Sequence, residues 1–307
     1  MSERTSALVV IGAGPVGENV ADRAVQGGLS VAIVESELVG GECSYWACMP
    51  SKGLLRAGAA LRAARAVDGA KQAVTGDVDV AGVLRRRDSL TSDWNDSSQV
   101  EWLQGAGVDL VRGHGRLAGE KRVEVTEPDG SVTTLVARHA VAVCTGSAAL
   151  LPDVPGLADV SPWTSREATA VQEVPGSLAI VGGGVVAAEM ATAFVDLGSD
   201  VTLIARSRLL GPMEPFAGDL VAQSLTDRGA RVLLHTDLVS AQRVEDGQVE
   251  LELSNGTRVR ADEVGDQRRQ PVVVAEADLL GGERVVLVDD RHDVQGQQPV
   301  QGAAGVA

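Results

Sequence analysis

Two cysteines separated by four residues are the part of the sequence best suited to chemistry. Cys43 and Cys48 lie in the segment GGECSYWACMPSK, residues 40–52. Five positions span about one and a half turns of a helix or near-helical turn, so a disulfide between them requires local unwinding and some strain. A strained disulfide is easily reduced, and Pro50 suits the first turn of a following helix, whose N-terminus favours a thiolate. The spacing indicates a redox pair, although two buried packing cysteines would also fit it.

A glycine-rich turn ahead of the cysteines is typical of dinucleotide binding. Residues 7–11 are an apolar run that predicts a buried strand. Gly12, Gly14 and Gly17 follow in the pattern G-x-G-x-x-G at the start of a helix. The first glycine permits the turn, the second lets a pyrophosphate approach, and the third lets helix and strand pack closely. Glu35 ends the next predicted strand, where a carboxylate accepts hydrogen bonds from a ribose diol. The alternative is a turn with incidental glycines.

The same unit recurs later in the chain. The apolar run LAIV precedes a G-x-G-x-x-A turn made by Gly182, Gly184 and Ala187, and a helical stretch and the run VTLIA follow. The offset is constant, because Gly12 aligns with Gly182 and Gly14 with Gly184 (182 − 12 = 184 − 14 = 170). We interpret this as an internal duplication that gives a second dinucleotide site.

The second unit lacks the acid that would bind a ribose. The position equivalent to Glu35 is Ala205 (35 + 170), and Arg206 and Arg208 follow it. A lost carboxylate and added guanidinium groups favour a ribose that carries a 2′-phosphate, which arginine can bind through two hydrogen bonds. We therefore expect NADP rather than NAD, the alternative being that these arginines belong to a solvated surface turn.

Composition limits the classes of partner. The chain has 307 residues, enough for two domains, with 44% hydrophobic and 22% charged residues as in ordinary globular proteins. A net charge of −15 opposes binding to nucleic acid or to an anionic membrane, so neither is expected as a partner. No apolar run suits a membrane span, and the N-terminus has no leader pattern, so we expect a cytoplasmic protein. No second ligand pair has metal spacing, and no metal is expected.

The predicted elements give an α/β fold with two Rossmann-like dinucleotide-binding domains. Residues 1–150 form the first domain, which carries the cysteine pair, and residues 151–264 form the second. Residues 265–307 hold no period for long and are predicted to be an irregular tail, in which residues 283–290 suit a single strand.

Several elements are predicted between the two glycine turns. The Ala/Leu/Arg-rich residues 54–67 predict a long helix, and residues 78–107 a second one. Residues 108–147 alternate as strands do, and EPDG at 127–130 predicts a hairpin turn.

The pattern GGxCxxxxCxPSK after such a turn resembles the class I pyridine nucleotide-disulfide oxidoreductases, which include dihydrolipoamide dehydrogenase, glutathione reductase and mercuric reductase. The resemblance covers about residues 7–264. It implies that the first glycine turn binds FAD, with Cys48 facing the flavin and Cys43 exchanging with substrate. It also implies that Lys52 lies by the flavin and pairs with Glu189. The further FAD contacts that the resemblance implies are Gly41, Gly115, Thr145 and Gly146.

The resemblance also implies an activity. NADPH would reduce FAD, FAD would reduce the Cys43–Cys48 disulfide, and Cys43 would pass electrons to a small-molecule or protein disulfide or a related acceptor. Tyr45 and Trp46 replace the small and amide residues usual between the cysteines. Cys144 is then expected to be strand filler.

The sequence departs from the family after Val264. The family continues with an Ala-Thr-Gly-Arg segment, a strand ending in Gly-Asp and a dimerisation domain with a His-Glu pair, none of which follows here. We expect a truncated or frame-shifted product with a missing homodimer interface. A nucleotide-binding remnant without turnover is therefore the alternative to an enzyme. A flavin monooxygenase or ferredoxin reductase would share both glycine turns but does not need the cysteine pair.

Overall fold

The computed structural model describes residues 2–267 and the backbone of residues 286–287. Residues 1–150, the predicted first domain, contain in chain order β1 (Ser2–Ile11), α1 (Pro15–Gln26), β2 (Val31–Glu35), α2 (Gly41–Tyr45), α3 (Cys48–Arg65), α4 (Val80–Leu90), α5 (Ser97–Gly105), β3 (Val108–Arg112), β4 (His114–Leu117), β5 (Arg122–Thr126) and β6 (Val132–Val143). The predicted second domain, with its end, contains α6 (Ser165–Thr169), β7 (Ser177–Val181), α7 (Val185–Asp196), β8 (Asp200–Ile204), α8 (Pro215–Asp227), β9 (Arg231–Leu233), β10 (Leu238–Arg243), β11 (Val249–Leu253), β12 (Arg258–Ala261) and β13 (Glu263–Asp266). The strand β14 (Val286–Leu287) follows.

The first domain is built on a mixed sheet with the strand order β3-β2-β1-β6-β5-β4. The strands β3, β2, β1 and β6 are parallel, whereas β4, β5 and β6 form an antiparallel meander. Val9, Val10 and Ile33 are completely buried, as expected for parallel strands covered on both faces. The predicted hairpin turn is confirmed, because the amide of Gly130 donates to the carbonyl oxygen of Glu127 at 2.9 Å.

The second domain combines a parallel sheet, ordered β13-β7-β8-β9, with an antiparallel sheet, ordered β10-β11-β12. The strand β13 continues to Asp266, which pairs with Val181 of β7, so regular structure extends two residues past the predicted boundary at 264. The strand suggested within 283–290 is confirmed at Val286–Leu287, which pairs in parallel with β6. The rest of the predicted tail lies outside the described residues.

The predicted duplication is confirmed by the backbone. Helix α7 begins and ends 170 positions after α1, since 185 − 15 = 196 − 26 = 170. Gly14 and Gly184 are the N-cap residues of these helices, with φ and ψ of −75° and −178° for the first and −87° and −174° for the second. The two helices therefore begin with the same N-cap conformation.

The helix that begins at Cys48 is clamped to the second domain. Asp196 ends α7 with a side chain only 8% exposed, and its carboxylate binds Arg62 of α3 and, at 3.1 Å, Arg228. A Cβ atom on Gly58 of α3 would lie 2.1 Å from Asp196 Oδ2, so only glycine lets the two helices approach this closely. The placement of α3 thus depends on both domains.

No helix in the described part of the chain is both long enough and apolar enough to cross a bilayer.

Candidate active site

The first glycine turn is held by close backbone contacts. Gly12 has φ of +97°, and a Cβ atom on it would lie 2.3 Å from the carbonyl oxygen of Cys144. A Cβ atom on Gly17 would lie 1.9 Å from the carbonyl oxygen of Gly12. These two glycines are required by packing between the turn, α1 and the end of β6, whatever the turn binds.

Gly14 differs from these two, because a Cβ atom there would meet no protein atom within 4 Å. The space in front of the α1 N-terminus is therefore open. The unpaired amides of a helix N-terminus and its positive dipole end favour an anion at this place. The geometry fits a pyrophosphate such as that of FAD.

Glu35 is oriented by the backbone around the turn. Its Oε2 accepts a hydrogen bond from the amide of Ala13 and its Oε1 accepts one from the amide of Glu37, both at 2.8 Å. Each carboxylate oxygen keeps further lone-pair capacity, so the predicted contact with a ribose diol is compatible with both bonds.

The other predicted FAD contacts surround the same turn. Gly115 lies on β4, where a Cβ atom would be 3.0 Å from Cγ1 of Val34, so a larger residue would fit there only if this side chain shifted. Thr145 and Gly146 follow β6 and are exposed. They lie beside the turn because the amide of Cys144 donates to the carbonyl oxygen of Ile11 at 2.7 Å.

The cysteine segment packs directly on the turn. A Cβ atom on Gly41 would lie 2.9 Å from Cα of Gly14, and the amide of Gly40 donates to the carbonyl oxygen of Ala13 at 2.7 Å. Cys43 lies in α2 and Cys48 is the first residue of α3, and both are partly buried. The structure shows no disulfide between them, so the strained disulfide stays a prediction.

The predicted ion pair between Lys52 and Glu189 is not formed among the described residues of this structure. Lys52 is exposed, and its Nζ donates to the carbonyl oxygen of Cys48 at 3.4 Å. Glu189 is half-buried on α7, and within residues 2–267 neither side chain forms an ion pair. A lysine on a helix readily reaches the carbonyl one turn back, and the ion pair that joins α3 to α7 is Arg62–Asp196 instead.

The second glycine turn repeats the first. The amide of Gly182 donates to the carbonyl oxygen of Ile204 at 2.9 Å, and Ala187 is fully buried beneath the turn. A Cβ atom on Gly184 would meet nothing within 4 Å, so this helix N-terminus is open as well. Ala205 is 1% exposed at the position where Glu35 stands in the first unit.

The two arginines after β8 have different surroundings. An Nη2 of Arg208 donates to the carbonyl oxygens of Gly211 at 2.6 Å and Met213 at 3.2 Å, which closes its own loop. Arg206 is exposed, and in the described part of the chain it makes no ion pair. Of the two, Arg206 is the guanidinium available to a 2′-phosphate.

Glu18 was not singled out from the sequence. It lies in the first turn of α1, and its Oε1 is enclosed without a hydrogen-bond donor among the described residues. Burial, together with the neighbouring Glu35, raises the pKa of Glu18 to about 7. The available signal was a carboxylate in the first turn after a predicted phosphate-binding motif, close to a second acid.

The described residues contain no group of three or more His, Cys, Asp and Glu side chains that would hold a metal ion.

Replacing Glu18 with glutamine should remove one component of the pH dependence of stability. The folded pKa of about 7 exceeds the ordinary 4.5, so between these values the folded chain holds a proton that the unfolded chain has lost. The contribution of Glu18 to the free energy of unfolding should therefore fall as pH rises from about 5 to about 7. Thermal unfolding should show Glu18→Gln more stable than wild type at pH 8, by about 1–2 kcal/mol after allowance for partial exposure, and nearly equal at pH 4.5.

Glu101→Gln on α5 is the matched control, because it removes the same charge from an exposed position. A Glu18→Gln variant that follows the wild-type pH profile as closely as this control does would contradict the assignment.

The model of the family described as pyridine nucleotide-disulphide oxidoreductase matches residues 6–265. A mercuric reductase of Staphylococcus aureus is 32% identical over 241 residues, which cover 78% of this chain and 42% of that protein. A dihydrolipoyl dehydrogenase 3 of Pseudomonas aeruginosa is 33% identical over 307 residues, which cover 97% of this chain and 64% of that protein. The chain thus spans less than half of the mercuric reductase and about two thirds of the dehydrogenase.

A solved structure shares the fold. The Cu(II) complex of the HOCl-induced flavoprotein disulfide reductase RclA from Escherichia coli superposes with a TM-score of 0.75 at 22% sequence identity, covering 90% of this chain and 58% of that chain. The family match over most of the chain agrees with the two glycine turns and the cysteine segment that lies on the first of them. The chain belongs to the pyridine nucleotide-disulphide oxidoreductase family.

Proposed function

We propose that this chain is an FAD-dependent oxidoreductase that takes electrons from NADPH and delivers them, through Cys43 and Cys48, to a disulfide or a related acceptor. The observation that carries the proposal is the contact between Gly41 and Gly14, where a Cβ atom on the former would lie 2.9 Å from Cα of the latter. The cysteine segment therefore begins on the turn whose open face fits a pyrophosphate. A redox pair and a nucleotide site built into one another favour electron transfer over storage of nucleotide.

Different residues would bind FAD and NADPH. Gly14 and the N-terminus of α1 would hold the FAD pyrophosphate, and Glu35 would hold its ribose. Bound FAD would supply the ability to accept a hydride from NADPH, which no side chain of the protein can provide. Gly184 and the N-terminus of α7 would hold the NADPH pyrophosphate, with Arg206 on the 2′-phosphate.

The two cysteines have different roles in the proposal. The thiolate of Cys43 attacks one sulfur of the substrate disulfide and releases the first product thiol. The thiolate of Cys48, at the N-terminus of the 18-residue helix α3, attacks the mixed disulfide at Cys43 and releases the second. Two electrons leave the pair, which ends as the Cys43–Cys48 disulfide. The substrate class is a small-molecule or protein disulfide, and the proposed location is the cytoplasm, where such pairs are used catalytically.

A methyl group at Gly14 should block FAD without disturbing the fold. The backbone at Gly14 has φ of −75°, which alanine adopts freely, and the added Cβ would point into the open space that we assign to the pyrophosphate. Gly14→Ala should weaken FAD binding tenfold or more, about 1.4 kcal/mol, with an unchanged thermal midpoint of the unliganded chain. Titration of the refolded chain with FAD, followed by flavin fluorescence, measures this.

Gly184→Ala is the matched control, because it makes the same change at the equivalent open turn of the second unit. It should leave the affinity for FAD unchanged and lower the affinity for NADPH. Equal loss of FAD affinity in both variants would contradict the assignment of FAD to the first turn.

Substitutions of Arg206 and Arg208 should have different effects on the KM values for NADPH and NADH. In the FAD-loaded chain, with a chromogenic aromatic disulfide as acceptor, Arg206→Ala should raise the KM for NADPH about tenfold or more through loss of a charge-assisted contact, and barely change the KM for NADH. Arg208→Ala should loosen the loop that this side chain closes through Gly211 and Met213. It should therefore change the KM values for NADPH and NADH by the same factor.

Cys43→Ser is the control for this assay and should abolish disulfide reduction. Equal effects of Arg206→Ala on both nucleotides would contradict NADPH as the substrate. Bound FAD with no NADPH oxidation in the wild type would favour the nucleotide-binding remnant.

A further inference from the structure

The chain between the two cysteines is held at its first aromatic residue by the first domain. The ring of Tyr45 is 3% exposed, and burial raises the pKa of its hydroxyl to about 12, so the phenol stays protonated near neutral pH. The indole Nε1 of Trp94 donates to the carbonyl oxygen of Tyr45 at 3.1 Å. Gln99 of α5 donates to the hydroxyl of Ser44 at 3.2 Å. The start of this segment is therefore fixed on the first domain.

The next residue, Trp46, is held from the other side by the short helix α6. The guanidinium carbon of Arg166 lies 4.1 Å from the centroid of the Trp46 ring, within the range of a cation–π contact. The hydroxyl of Thr169 donates a bifurcated hydrogen bond to two carbonyl oxygens, that of Trp46 at 3.1 Å and that of Ser165 at 2.8 Å. The second domain thus contacts both the ring and the backbone of Trp46.

Arg166 also binds the residues just before the first cysteine. Its Nε donates to Oε1 of Glu42 at 2.6 Å, and an Nη2 donates to Oε2 of Glu37 at 2.8 Å. Cys43 is flanked by Glu42 one position earlier and by Trp46 three positions later, so one guanidinium contacts both sides of this cysteine in sequence.

The contacts of Arg166 coincide with a break between two helices. The amide of Trp46 donates to the carbonyl oxygen of Glu42 at 2.8 Å and ends α2, and Ala47 then takes φ of −134° and ψ of −94° before α3 begins. Neither Trp46 nor Ala47 prevents a helix from continuing. In a continuous helix Cys43 and Cys48 would be about 7.5 Å apart along the axis, which exceeds the limit of about 7 Å between the Cα atoms of a disulfide.

We propose that Arg166 is a positioning residue for the redox pair: by stacking on Trp46 and binding Glu42 it holds the break between α2 and α3 at which Cys43 and Cys48 can be bonded. The inference rests on the proposed function, since it concerns the same two cysteines. Because α6 belongs to the second domain, the geometry of the redox pair depends on how the second domain contacts the first.

The guanidinium has a second property, its charge, which a lysine would keep. Lysine cannot stack on the indole as a plane or bind two groups as a fork, so Arg166→Lys separates positioning from charge. If position matters, Arg166→Lys and Arg166→Met should behave alike. If only the charge matters, the lysine variant should behave as wild type does.

The experiment is a redox titration of the chain in glutathione buffers, with thiols trapped by alkylation and counted by mass spectrometry. Cys43 attacks oxidised glutathione and releases one glutathione, and Cys48 resolves the mixed disulfide and releases the second, so the equilibrium constant reports formation of the Cys43–Cys48 bond. Arg166→Met and Arg166→Lys should each lower this constant about tenfold, about 30 mV for a two-electron couple. No flavin or nucleotide is required.

Two further variants and a control complete the test. Trp46→Phe keeps a ring under the guanidinium and should stay within about threefold of wild type, whereas Trp46→Leu should resemble Arg166→Met. If the Arg166 variants fail to fold, the comparison of Trp46→Phe with Trp46→Leu tests the same contact. Arg86→Met, on the exposed side of α4, should leave the constant unchanged.

The positioning role of Arg166 and the proposed function would be contradicted by different results. An unchanged constant in both Arg166 variants, or in Trp46→Leu if those do not fold, would overturn the positioning role and leave the proposed function standing. A wild-type chain that forms no Cys43–Cys48 disulfide at any glutathione ratio would overturn the proposed function itself.

Discussion

The close approach of backbone segments at the first glycine turn is the constraint on which the rest of the site depends. Gly12 packs on the carbonyl of Cys144, and Gly17 packs on the carbonyl of Gly12, so the turn, α1 and the end of β6 are fixed together. The cysteine segment is then placed by this cluster, because Gly41 contacts Gly14. Of the three glycines of this turn, only Gly14 faces open space, so packing does not explain why it is a glycine. The proposed binding role gives it a reason.

The second domain takes part in placing the cysteines rather than serving only as a separate nucleotide site. Asp196 of α7 binds Arg62 near the end of α3, and Arg166 of α6 stacks on Trp46 just before α3 begins. Both contacts involve charged groups, and the Asp196 carboxylate is largely withdrawn from water. Helix α3, which starts at Cys48, is therefore held near its two ends by side chains from residues 151–264, Arg166 and Asp196. This arrangement links the separation of the cysteines to domain placement.

The sequence predicted the elements whose signals are local. The strand–turn–helix units, their constant offset of 170 and the hairpin at 127–130 follow from periodicity and turn chemistry, and all appear in the structure. Contacts between side chains that are far apart in the sequence were not predictable from such local signals. The Lys52–Glu189 pair was transferred by resemblance and is absent from the described residues, while the enclosed carboxylate of Glu18 depends on burial that no single segment encodes. Arg166 lies 120 positions from Trp46, since 166 − 46 = 120, and only the fold brings them together.

In the proposed function, a flavin and the Cys43–Cys48 pair exchange electrons within this one chain. The most direct measurement is an anaerobic reductive titration of the FAD-loaded, oxidised protein with NADPH, counting electrons by visible absorption and by trapped thiols. A flavin and a disulfide are each two-electron centres, so the wild type should take up about two molar equivalents of NADPH and Cys43→Ser/Cys48→Ser about one. Uptake of one equivalent by both proteins, with no new thiols in the wild type, would contradict it.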